Sequence, residues 1–142
     1  MLVAFVSMGA LTTSCGGSDD SSSSNSSSSL VGKWEYYQTG YAYNGEVVME
    51  DYVHNTGCSK DYIEFFENGA INEMTYEDIF GESCYESFSE GTYVKSGNNL
   101  SVTLYDQTGE ATIQTLNATT LKIKGAVEQG YYEISIFRRV TN

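Results

Sequence analysis

Three cysteines, Cys15, Cys58 and Cys84, and one histidine, His54, make up the whole supply of thiol and imidazole in this 142-residue chain. A serine or cysteine nucleophile needs a base within hydrogen-bond reach, so a triad of that kind has to use His54. That residue lies in the turn-rich run Val53-His54-Asn55-Thr56-Gly57, with no nucleophile elbow anywhere in the chain, and it reads as a solvated loop residue. Zinc or dithiol redox chemistry fares no better, since there is no Cys-x-x-Cys and one His cannot complete a ligand set with cysteines this far apart. Glycine-rich phosphate cradles are missing as well. Acidic residues number 19 against 7 basic ones, a net charge of −12. A two-carboxylate glycosidase stays arithmetically open, but no pair of acids stands apart from the rest. The expectation is a non-enzymatic protein with no cofactor and no metal site.

Charge is unevenly placed. No Lys or Arg occurs between Lys60 and Lys95, whereas Asp61, Glu64, Glu67, Glu73, Glu77, Asp78, Glu82, Glu86 and Glu90 all fall there. Phosphate binding needs concentrated Lys and Arg, so nucleic acid is excluded as a partner. These acids read as a solvated surface that resists aggregation; the alternatives are docking of a basic partner or loose Ca²⁺ attachment around Glu77-Asp78, which lacks the alternating oxygen ligands of an EF-hand loop.

Cys15 ends an apolar run, Leu2 to Leu11, closed by Thr12-Thr13-Ser14, and is followed by Gly16-Gly17-Ser18-Asp19-Asp20 and a serine tract. The arrangement resembles a bacterial lipoprotein signal. That resemblance implies removal of residues 1–14, acylation of Cys15 and attachment to a membrane by lipid, since about ten apolar residues are too few to cross a bilayer and several acyl chains anchor stably. Residues 16–29 contain only Gly, Ser, Asp and Asn and form a flexible tether with a root-mean-square span of about 20 Å. The acids after the cysteine resemble the export tag of surface lipoproteins of Bacteroides-type bacteria. An outer-membrane lipoprotein facing the cell exterior rather than the periplasm is the expectation. With Cys15 acylated, Cys58 and Cys84 remain, and in an exported protein two cysteines usually pair as a disulfide.

Residues 30–142 have the length of one domain. Twelve Tyr, six Phe and recurrent Val, Ile and Thr alternate with polar residues in short runs and show no sustained helical period. Lys33 to Tyr43 and Glu46 to Val53 flank Asn44-Gly45, a hairpin signal. Asp61 to Phe66, Ala70 to Tyr76, Cys84 to Val94, Asn99 to Tyr105, Ala111 to Leu116, Leu121 to Val127 and Tyr131 to Val140 follow, separated by Gly- and Asn-bearing turns. Nine successive strands predict an all-β fold, an antiparallel up-and-down meander. On a chain this small the meander loses its exposed edges most easily by closing into a barrel of about 8–9 strands. Alternation assigns Ile63, Phe65, Leu100, Val102, Leu104, Leu121, Ile123, Ile134 and Ile136 to an inner face, either as plain core or as a ligand lining.

Gly32-Lys33-Trp34 opening the first strand, Tyr62-Ile63-Glu64-Phe65 before Asn68-Gly69, Gly91-Thr92-Tyr93, and Phe137-Arg138-Arg139-Val140 at the end resemble the lipocalin superfamily. More narrowly, they resemble the lipocalin-like lipoprotein domains of Bacteroides-type bacteria. The resemblance covers essentially all of 30–142. It implies a barrel whose closed end holds Gly32 and Trp34 beneath an arginine of the last strand. Alternation with Ile134 and Ile136 assigns that arginine as Arg138. It also implies an apolar pocket, with less room than in longer lipocalins. Tyr36, Tyr37, Tyr41, Tyr43 and Tyr52 crowd the first hairpin near Met49; amphipathic rings suit a binding mouth, and they suit strand packing equally. The candidate ligand residues are Tyr36, Tyr41, Tyr43, Met49, Tyr52 and Phe65. The expected function is a binding module for a small apolar or amphipathic molecule. The rival is an accessory protein that binds an envelope protein or a glycan through its outer surface.

Overall fold

Nine strands follow one another with tight turns between them: β1 (Gly32–Tyr43), β2 (Glu46–Asp51), β3 (Tyr62–Phe65), β4 (Ala70–Asp78), β5 (Cys84–Ser96), β6 (Asn99–Leu104), β7 (Gln107–Leu116), β8 (Thr120–Glu128) and β9 (Tyr131–Arg139). The computed structural model describes residues 29–81 and 83–141. Cys15 and the tether lie outside them. All pairings are antiparallel, and β1 pairs with β3 through its first half and with β9 along its length. Eight strands therefore close a barrel, β1-β3-β4-β5-β6-β7-β8-β9 and back to β1, while β2 is an extra strand paired with the second half of β1. Closure removes the edges a nine-strand row would expose.

Local chemistry explains the turns. Asn44 and Gly45 both take positive φ, 49° and 85°, as a two-residue hairpin requires. Residues 106–110 read as a loop from sequence, yet β7 begins at Gln107, paired with Leu104. The turn is only Tyr105-Asp106, at φ 52° and 59°. Left-handed backbone costs a residue with a Cβ about 1–2 kcal/mol, and here the ladder of β6 with β7 holds it.

The core fills one end of the barrel. Leu30, Trp34, Ile63, Phe65, Ile71, Leu100, Ile113, Leu121 and Phe137 form one buried cluster, and Trp34 is 0% exposed. Its indole Nε1 donates to the Leu30 carbonyl at 2.8 Å. Arg139, not Arg138, lies over the indole, its guanidinium carbon 4.0 Å from the ring centroid. Arg139 also donates to the Val31 carbonyl at 3.0 Å and to the Ser29 carbonyl, closing this end with cation–π and hydrogen-bond contacts. Gly32 has φ 128°, and a Cβ there would stand 2.6 Å from Arg139 Nη1, so the glycine two before the tryptophan makes room for the arginine.

Arg138 instead stacks on Tyr37 at 3.4 Å on the outer wall, because the inner face of β9 is the opposite of the one expected. Phe137 pairs with Tyr36 and Arg139 with Trp34, while Glu133, Ser135 and Phe137 line the interior. Ile134 and Ile136 therefore face outward. Ile134 is nonetheless only 3% exposed. It pairs with Gly40 on one side and Lys124 on the other, where a lysine stem can cover apolar surface. Two isoleucines looked like core because alternation fixes two faces without saying which is inside.

Candidate functional site

Above the packed end the barrel interior is not filled. A cavity of about 280 Å³ opens there, walled by apolar side chains of β3, β4, β6, β8 and β9, including Phe65, Ile71, Val102, Leu104, Ile123 and Phe137. Its space comes from small residues on neighbouring strands: Gly109 and Ala111 on β7, and Gly125 on β8, which pairs with Ala111. A Cβ at Gly125 would meet nothing nearer than 3.6 Å, so this glycine is a gap in the wall rather than a backbone necessity.

A bulge decides which tyrosines reach the interior. Tyr36 pairs with Phe137 and Gln38 with Ile136, leaving Tyr37 unpaired against β9. Such an extra residue shifts the alternation by one. Trp34 and Tyr36 thus face inward before the bulge, and Thr39 and Tyr41 after it.

The polar groups of the cavity converge on Glu73 of β4. Tyr36 donates its phenol to Glu73 Oε1 at 2.6 Å, and Tyr105, from the turn between β6 and β7, reaches Oε2 at 3.3 Å. Burial first, then the neighbouring Glu73 carboxylate, pushes the Tyr36 phenol far above its ordinary value. Glu133 and Ser135 line the same space from β9, and no Lys or Arg of the described residues does. Glu73 was expected on a solvated acidic surface; two residues beyond the inward Ile71, it faces inward.

Behind this wall sits a second polar network. Tyr52 stacks on Tyr36, centroids 4.7 Å apart, and donates to Asp61 Oδ2 at 2.6 Å, while the Tyr76 backbone N–H donates to Asp61 Oδ1 at 2.7 Å. Asp61 is therefore buried and satisfied, not part of a solvated acidic face. Burial and then the hydrogen bond to Asp61 raise the Tyr52 phenol as well. His54 is not a solvated loop residue: the Asp61 backbone N–H donates to its Nδ1 at 3.1 Å, and its Nε2 lies 2.9 Å from the Tyr36 carbonyl. With Nδ1 accepting, Nε2 carries the proton and donates to that carbonyl. The ring pins the connection between β2 and β3 against β1. The disulfide Cys58–Cys84, with Cα atoms 5.5 Å apart, ties the same connection to the start of β5.

Of the sequence-predicted ligand residues, Tyr36 and Phe65 line the cavity. Tyr41 lies in a separate groove with Thr39, Val48, Glu50, Tyr131 and Glu133, stacked on Tyr131. Tyr52 backs Tyr36 without lining the cavity. Tyr43 is exposed beside the hairpin turn. Met49 pairs with the outward Gly40 and so faces away from the interior. Sequence reasoning missed Glu73, Gly109, Ala111, Gly125 and Arg139. For Glu73, alternation from Ile71 was a usable signal; for the glycines, only the assembled barrel shows that no neighbour fills their space. The outer wall carries a wider concavity, about 500 Å³, lined by Asn99, Glu110, Thr112, Gln114, Lys124 and Tyr132 among others. It is polar and open, without the apolar walls that favour retention of a small molecule.

The two raised phenols predict a specific alkaline response. Free tyrosine ionises near 10.0, and both Tyr36 and Tyr52 hold their protons beyond that in the folded state. The unfolded chain loses those protons first. Their contribution to stability is complete below pH 10 and is lost as pH rises above it. A tyrosinate absorbance titration should therefore show a late step coincident with loss of the circular-dichroism signal. In Tyr36→Phe that step shrinks and stability falls less steeply with alkaline pH. A late step that precedes unfolding would contradict the assignment.

A family model described as a lipocalin-like domain matches residues 30–123. Among solved structures, a lipocalin-like protein from Bacteroides uniformis superposes with a TM-score of 0.56 at 18% identity, covering 78% of this chain and 98% of that one. An uncharacterized protein from Bacteroides eggerthii gives 0.52 at 15% identity, covering 79% and 100%. No curated protein matches the chain in sequence.

Proposed function

The chain belongs to the lipocalin-like domain family, and on that premise we propose that its barrel binds a small apolar or amphipathic molecule. The cavity above the Trp34 end carries this reading. It is apolar along most of its wall, and Gly109, Ala111 and Gly125 keep it open although strand-forming side chains there would have filled it. A cavity of 150 Å³ takes a benzene, so one of about 280 Å³ suits a molecule of roughly ten to twelve non-hydrogen atoms. The ligand is far smaller than a long-chain lipid. The reading includes an anchor: Cys15 is acylated, and residues 16–29 tether the binding domain to the outer membrane, on its cell-surface side. A tethered carrier of this kind acts where its ligand meets the cell. The signal-like N-terminal residues support that part of the reading.

Native mass spectrometry of protein purified without denaturation tests the cavity. A small-molecule adduct that disappears on unfolding is expected from the wild type. Gly125→Leu puts a side chain into the cavity with its Cβ in ordinary contact with the Glu110 carbonyl at 3.6 Å, so it should reduce binding by about tenfold or more, while replacing a strand glycine should leave stability equal or higher. A clean mass for both proteins, with no uptake of phenethyl alcohol, phenethylamine or phenylacetate by the wild type, would overturn the reading.

A further inference from the structure

We infer that the ligand of this cavity is an amine, an apolar body carrying one ammonium group that pairs with Glu73. The inference rests on the cavity reading above and assigns its ligand class.

Every charged side chain that lines the cavity is a carboxylate. Glu73, partly buried, lines the space, the exposed Glu133 lies at its rim, and no Lys or Arg of the described residues lines it to balance them. The third acid at its wall, Glu110, is turned outward and accepts from the Ser101 hydroxyl at 2.6 Å. A carboxylate ligand would bring its negative charge beside Glu73 in a partly buried space, where repulsion is stronger than in water. A neutral ligand leaves that field unused. An ammonium is attracted by it, and a charge-assisted hydrogen bond to a carboxylate is about twice as strong as a neutral one.

Glu73 is already arranged to receive such a group. Tyr36 fixes one oxygen at 2.6 Å, and its own phenol keeps its proton because it is buried against that carboxylate. Glu73 is thus held in one orientation by a donor that stays in place. The other oxygen has only the Tyr105 phenol at 3.3 Å, well beyond the usual 2.7–2.8 Å of an O–H···O bond. Tyr105 is largely exposed and sits in the turn over the open end. An incoming ammonium can displace it at little cost. Ser135, on the inner face of β9, offers a hydroxyl acceptor to the ammonium's remaining protons. The ring or alkyl body then lies toward Val102, Leu104 and Ile123.

Three probes of nearly equal size separate the terms: phenethylamine, phenethyl alcohol and phenylacetate, titrated calorimetrically at neutral pH into the full chain. The amine should bind roughly ten- to a hundredfold tighter than the alcohol, and the acid weakest. Glu73→Gln keeps an oxygen for Tyr36 to donate to, so the fold is retained. It should bring the amine down to the alcohol's affinity and leave the alcohol within about twofold of its wild-type value. Tyr105→Phe removes the competing donor and should leave the amine preference intact or larger. Equal binding of amine and alcohol by the wild type, or an amine preference that survives Glu73→Gln, overturns the inference while leaving the cavity reading standing. Failure of all three probes to bind overturns both.

Discussion

Trp34→Ala should lower the free energy of unfolding by about 3–5 kcal/mol, the range for removing a fully buried large aromatic side chain. A domain of this size holds only about 5–15 kcal/mol in all, so the loss shows as a large drop in the urea midpoint, with an unchanged slope if unfolding stays two-state. The cost is high because the indole does three things at once. It fills the closed end among Leu30, Phe65, Leu121 and Phe137, bonds the Leu30 carbonyl, and supports the Arg139 guanidinium that holds Ser29 and Val31. Collapse of the neighbours cannot replace the last two. The arginines give an internal control. Arg139→Ala should destabilise more than Arg138→Ala, since Arg138 only stacks on Tyr37 at the exterior. The reverse order would contradict the packing described for β9.

The second large effect is expected from the disulfide. Replacing Cys58 and Cys84 together by serine should cost about 3.5 kcal/mol on the chain-entropy model for a bridge spanning 26 residues. Removing a native disulfide from a small exported domain typically costs 2–5 kcal/mol. The loss should also be local. The bridge secures the connection between β2 and β3, whose other fastenings are His54 on the Tyr36 carbonyl and the Asp61 bonds to Tyr52 and Tyr76. Amide hydrogen exchange at Tyr76, whose N–H donates to Asp61, should therefore accelerate more than exchange at the Arg139 end of β9. Uniform acceleration, or a stability change below about 1 kcal/mol, would show that the Asp61 and His54 contacts hold the connection without the bridge.

The strands were legible because their signals are local. Alternation with period two marks the runs, Asn44-Gly45, Gly69 and Gly97 punctuate the chain at three of the turns, and β-branched and aromatic residues fill the runs between. Gly32 and Trp34 were legible as a closed barrel end through the resemblance their spacing carries. The pairing of Cys58 with Cys84 followed from there being no third thiol outside the signal-like segment. Edges were harder to read: β7 starts at Gln107, the second residue of what read as a loop, because the ladder with β6 imposes left-handed φ on Tyr105 and Asp106.

Other features needed the closed sheet. Whether Ile134 or Ser135 faces inward depends on the register of β9 against β1 and β8, and a single extra residue at Tyr37 changes the parity for the rest of β1. Polarity was a poor guide, because the inner face toward the open end carries Glu73, Glu133 and Ser135, while the outer wall covers Ile134. The cavity itself is a property of the assembly. Gly109 and Ala111 on one strand and Gly125 on the next are unremarkable in sequence, and they leave a void only when closure brings β7 and β8 opposite β3 and β4. The sequence by itself determined the strands, the glycine-marked turns, the disulfide and the family. The tertiary structure alone decided that the barrel is open above Trp34 and that a carboxylate faces into it, since space and charge within a barrel depend on which side chains curvature and register bring together.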